Sequence, residues 1–176
     1  MSSRRSSYVL ASGSMTTQTI PSAGEPLSPA RAILYGTLAV GVLDFLDATI
    51  FFGIFLKVGV LRVWQSVASG LLGKTSFEGG LPTAALGVFL HFFIAFGIVC
   101  VYYLVSRKLR FLTRRPVLWG LLYGVAVYFI MSLVVVPLSR ATSHWPPSLP
   151  VFLNGIIGHA LLIGVPAAYF ASRAAD

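Results

Sequence analysis

The chain has 176 residues, 56% of them hydrophobic and only 10% charged, with a mean hydropathy of +0.84 and a net charge of +8. A soluble domain carries about a quarter charged residues, so this composition excludes an ordinary soluble fold. Nucleic acid is also argued against, because the cations sit between apolar runs instead of forming a continuous basic face.

Residues 1–29 are rich in Ser, Thr, Ala, Gly and Pro and show no apolar period, which predicts a disordered cytoplasmic tail. Arg4-Arg5 followed by Tyr8-Val-Leu10 is too short in its apolar part for a leader. Met15 is an alternative start codon, and from it the first fourteen residues would be absent from the cell.

Residues 30–176 read as one four-helix transmembrane domain. A spanning helix needs about 20 apolar residues, and four stretches meet that length: Arg31–Leu56, Leu81–Val105, Val117–Leu138 and Val151–Ser172. The expected fold class is an all-α integral membrane protein of two hairpins with one short outer surface helix. That helix falls in Lys57–Gly80, where Leu61, Trp64, Val67, Ala68, Leu71 and Leu72 recur at helical spacing opposite Arg62, Gln65, Ser66 and Ser69. The pattern predicts an amphipathic helix on the membrane with Trp64 at headgroup level. A re-entrant segment is the rival, suggested by Ser69, Gly70 and Gly73.

The single cysteine, Cys100, lies in the second span and reads as a packing residue. The second and third spans are joined by Ser106–Pro116, which carries Arg107, Lys108, Arg110, Arg114 and Arg115. Short basic loops stay cytoplasmic. With this loop inside, nine cations lie inside (Arg4, Arg5, Arg31, the loop's five and Arg173) and four outside (Lys57, Arg62, Lys74 and Arg140), which gives an N-in, C-in topology. The same loop can attract anionic lipid headgroups. The last connection, Ser139–Pro150, is stiffened by Trp145-Pro-Pro147, and its His144 reads as exposed and incidental.

The two hairpins share fragments. Leu34-Tyr-Gly36 matches Leu122-Tyr-Gly124, and Gly87-x-x-x-His91 matches Gly155-x-x-x-His159. Both hairpins run the same way across the bilayer, so the match suggests a parallel repeat in which His91 and His159 are mates.

Ionisable residues inside spans usually face a bundle interior and mark function. Asp44 and Asp47 occupy the first span, His91 the second and His159 the fourth. At about 1.5 Å per residue they lie roughly 18, 14, 15 and 12 Å from the outer ends of their spans, in one layer. Their helix faces carry small residues that allow close approach: Thr37, Gly41 and Ala48 beside the aspartates, Ala84, Gly87 and Ala95 beside His91, and Gly155 and Gly158 beside His159. In the third span Gly120 and Gly124 form a similar surface, with Tyr128, Met131 and Ser132 further along; Tyr128 and Ser132 are candidate supporting groups.

Two carboxylates and two imidazoles suit a proton relay or a cation site. The same donors could hold zinc, and the two histidines alone could ligate haem. Alternatively, Asp–His hydrogen bonds only lock the helices together, as in a structural or accessory subunit. No cofactor is required by the sequence. No H-E-x-x-H, G-x-S-x-G or phosphate-cradling loop points to an enzyme. Four helices enclose little volume, which suggests a homo-oligomer.

From His91 through Tyr102-Tyr103, the basic loop, Trp119-Gly-Leu-Leu-Tyr-Gly124, Val136–Leu138, Leu149-Pro150 and Gly158-His159, the chain resembles YagU-like bacterial inner-membrane proteins. The resemblance covers roughly the C-terminal half. It implies a small helical bundle in a bacterial inner membrane and no defined activity. At Met131 and Ser132 this chain offers only a hydroxyl where such proteins would be expected to carry another polar intramembrane group.

Overall fold

The computed structural model of the chain describes residues 26–142 and 145–174. Four helices are long and apolar enough to cross a membrane: α1 (Pro29–Phe55), α3 (Gly80–Lys108), α5 (Pro116–Leu138) and α6 (Leu149–Ser172). Between the first two lies α2 (Val60–Leu72), and a single turn, α4 (Phe111–Arg114), sits in the basic loop. This is an all-helical multi-pass membrane protein. The spans match the expected ones to within a few residues. His144, expected to be exposed, lies outside the described residues, as do residues 1–25 of the expected tail.

The end of that tail is structured. Ser28 caps α1 through its hydroxyl and Pro29 opens the helix, while the Leu27 N–H donates to the Arg173 carbonyl at 2.8 Å. The start of α1 is thus tied to the end of α6. These two ends and the basic loop lie at one end of the bundle, called here the basic end.

Packing follows membrane logic. Small side chains fill the interior, with Ala95, Ala167 and Ala168 each 3% exposed or less, while Phe89, Phe93 and Leu104 project outward at 62–66%. Lipid solvates large apolar groups as well as a protein core does, so close backbone approach by small residues holds such helices together. Gly120 and Gly124 of α5 meet the backbone of α6 at Gly164 and at His159–Ala160, where any Cβ would collide. A central cluster of Val40, Val99, Tyr102, Ile163 and Ala171 joins α1, α3 and α6. Tyr123 links α5 to α3 by donating to the Ile98 carbonyl at 2.7 Å.

Three spans widen into π-helical turns, at Thr49–Phe55, Met131–Val135 and His159–Gly164. Two of these have an evident cause. Pro137 and Pro166 each follow a π turn by two residues. Proline removes an N–H and clashes with the carbonyl four residues back, and a wider turn relieves that clash. Matching segments of the other hairpin differ: the region aligned with His159–Gly164 begins at His91, where α3 is regular α-helix. Tyr123 is hydrogen-bonded across the bundle, whereas its counterpart Tyr35 is 42% exposed. The two hairpins thus differ in local geometry at the positions their motifs match.

The short helix α2 is rotated from the expected orientation: Trp64 and Ala68 of the apolar stripe are buried together with Gln65 and Ser69 of the polar one, while Arg62 and Ser66 stay exposed. Trp64, expected at headgroup level, is 4% exposed, stacks on Phe45 at 4.2 Å and meets the His91 ring at 5.2 Å. Gln65 and Ser69, expected on the water-facing side, are buried, while Leu61 and Leu71 are exposed. The reason is polar pairing: the Gln65 amide donates to the Gly80 carbonyl at 3.1 Å and to the Thr83 hydroxyl at 3.3 Å. The Trp64 carbonyl rests directly on Gly87, two helical turns into α3.

Candidate functional site

Gly41 starts the site. Lacking a side chain, it lets the Phe92 ring press against α1 and leaves its carbonyl within reach of α3. His91 takes that opportunity, with Nε2 2.9 Å from the Gly41 oxygen. A carbonyl can only accept, so Nε2 carries the hydrogen and the other ring nitrogen is directed elsewhere. That nitrogen, Nδ1, lies 3.7 Å from Oδ2 of Asp44. The Phe45, Trp64 and Phe92 rings surround the imidazole at 5.2–6.3 Å and fix its plane.

Asp44 has His159, His91 and Asp47 as electrostatic neighbours, and His159 feels both Asp44 and Asp47. The four ionisable residues singled out from the sequence therefore share one electrostatic neighbourhood, contributed by α1, α3 and α6. His159 opens the π turn of α6 and lies 5.4 Å ring to ring from Tyr128. Tyr128 also packs on Gly155 and Phe152, so it forms the wall behind His159. Ser132 is half-buried in the π turn of α5, and among the described residues no hydrogen bond joins it to the cluster.

Asp47 is held differently. Asn154 of α6 donates from Nδ2 to Asp47 Oδ2 at 2.9 Å, and Gly158, one turn on, leaves space for the carboxylate. Sequence reading missed Asn154, although an amide in an apolar span on the His159 helix is itself a signal. Replacing Asn154 with Leu should destabilise the bundle. An interhelical membrane hydrogen bond averages only about 0.6 kcal/mol, but stranding the half-buried Asp47 adds up to roughly 1–3 kcal/mol. Unfolding in detergent would measure this. The loss should shrink when Asp47 is simultaneously Leu, because the double variant strands nothing.

Two further polar groups extend from the layer along α1. The Thr37 and Thr49 hydroxyls are buried with no protein partner among the described residues. Thr37 lies seven residues before Asp44, on the same helix face and toward the basic end. Thr49 begins the π turn on the opposite side of the layer.

The metal and haem alternatives fit the geometry less well. No three His, Cys, Asp or Glu side chains converge as a ligand set among the described residues. The Nε2 of His91 is occupied by Gly41, and Nδ1 faces a carboxylate.

Fold and site together define a class: a multi-pass helical membrane protein with an acid–imidazole layer between its spans. No family model, curated protein or solved structure matches the chain.

Proposed function

We propose that this protein handles protons or small cations at a bacterial inner membrane, with Asp44 and His91 as the exchanging pair. One observation carries the reading: His91 is clamped through Nε2 to the Gly41 carbonyl while Nδ1 faces Asp44. In that arrangement a single proton belongs either to the carboxyl group or to the imidazole, and moving it converts a neutral pair into an ion pair within the apolar span. His159 and Asp47 add a second acid and base within electrostatic reach. Thr37 and Thr49 supply buried hydroxyls on either side of the layer, each able both to donate and to accept a hydrogen bond. π-helical turns are rare and are frequently found at functional sites, and one begins at His159. The nine-to-four cation bias supports both termini being cytoplasmic. The resemblance to YagU-like proteins supports the same compartment.

A structural or accessory role is the second reading, favoured by the Asn154–Asp47 and His91–Gly41 bonds. Purified protein in liposomes decides between them. With protons, sodium or potassium offered in turn as the permeant ion, protein-dependent dissipation of an imposed gradient supports the first reading. No dissipation above empty liposomes for any of the three supports the second.

A further inference from the structure

At the basic end the chain builds an apolar slot from residues that neighbour a run of cations in the sequence. The slot, about 280 Å³, lies between the end of α3 and the start of α5 and is lined by Val105, Leu109, Leu112, Trp119 and Leu122, with Tyr102 and Tyr123 at its back. Its walls are held in place. Tyr102 packs edge-on against Tyr123 at 4.9 Å, and Phe111 packs edge-on against Trp119 at the same distance. The Tyr102 hydroxyl reaches the Leu112 carbonyl at 3.4 Å.

In the sequence, cations flank the slot residues. Lys108 precedes Leu109, and Arg114 and Arg115 follow Leu112; all three cations are exposed. No acidic residue occurs anywhere between Glu78 and Asp176, so this loop contains no carboxylate of its own to answer the cations. The slot is slightly smaller than the roughly 300–1,000 Å³ of a small-molecule pocket. It suits one hydrocarbon chain better than a bulky ligand.

We propose that this corner binds an anionic phospholipid, with one acyl chain in the slot and its phosphate on Lys108, Arg114 and Arg115. The inference rests on the transmembrane fold and is independent of the ion-handling reading. Basic clusters beside spanning helices recognise anionic headgroups; here the neighbouring slot adds a place for the chain, so binding is stoichiometric at this corner.

The test uses the full chain in mild detergent. Native mass spectrometry would compare phosphatidylglycerol with phosphatidylcholine of the same acyl chains. Retention of the anionic lipid should be roughly tenfold or more stronger, and the combined K108Q, R114Q and R115Q variant should lose most of that preference. Equal retention of the two lipids by the unmodified protein would overturn the proposal, as would an undiminished preference in the triple variant. Displacement of phosphatidylglycerol by inorganic phosphate would also overturn it, by showing a plain anion site. Tryptophan fluorescence tests the slot without relying on the charge variants. Phosphatidylglycerol brominated in its acyl chains should quench at lower concentration than the brominated choline lipid, and Trp119→Phe should remove that difference. Quenching that is identical for the two lipids, or unaffected by Trp119→Phe, would contradict chain insertion.

Discussion

Gly87→Ala should destabilise the protein by about 3 kcal/mol, the upper end of the usual cost of overpacking. The added methyl would meet the Trp64 carbonyl of α2, and a backbone oxygen cannot rotate away as a side chain can. Relief requires α2 to lift from α3. That movement would pull Trp64 from its stack on Phe45 and from the edge of His91, and would strain the Gln65 bonds to Gly80 and Thr83. Gly97 on the same helix is the control, since nothing lies within 4 Å of a Cβ placed there. Gly97→Ala should be neutral or stabilising by up to about 1 kcal/mol, because alanine is the better helix former. Thermal or denaturant unfolding in detergent distinguishes the two variants. A Gly87→Ala protein as stable as the unmodified one would mean that α2 does not cross α3 at this glycine.

Asp44→Asn should have the largest effect on activity. An amide preserves shape and still accepts a hydrogen bond, but it cannot exchange a proton with Nδ1 of His91. Loss of a positioned acid–base group lowers proton-transfer rates by about 10²–10⁴-fold, so flux should fall by well over tenfold while folding is little changed. Asp47→Asn is the informative comparison. The replacing amide oxygen can still accept from Asn154, and Asp47 is not the direct partner of His91. Its effect on flux should be several-fold smaller. Equal losses in the two variants would assign the carboxylates a shared electrostatic role and remove the distinction drawn between them.

The four spans were legible because apolar runs of that length are rare outside membranes, and the four ionisable residues because each is costly in lipid. Their common neighbourhood could be anticipated from depth and from the small residues beside them. Specific partners could not. The Asp47–Asn154 bond joins residues 107 positions apart, and only tertiary structure tells which of several polar groups at similar depth will meet. Asn154 itself was nevertheless readable as a polar residue in an apolar span. Pro137 and Pro166 likewise announced a disturbance of α5 and α6, although the form it takes, a widened turn, depends on the neighbouring helices.

The faces of α2 were misread for a physical reason. Amphipathic reasoning assumes that polar groups seek water. Beside a membrane bundle, Gln65 finds partners in protein, and Leu61 and Leu71 are the residues left outside. Periodicity identifies two faces, whereas the surface that meets the protein straddles them, taking Trp64 and Ala68 from one and Gln65 and Ser69 from the other. The repeat had a similar limit. Matched short motifs gave His91 and His159 similar settings on paper, yet one lies in regular helix against Gly41 and the other opens a π turn against Tyr128.

Under the proposed function, protons cross the bundle through the Asp44–His91 pair. The most direct test is proton flux into liposomes containing an entrapped pH dye, with the membrane potential clamped, for the unmodified protein and Asp44→Asn side by side. Protein-dependent acidification is expected, and Asp44→Asn should slow it by tenfold or more. Equal rates for the two proteins would contradict it.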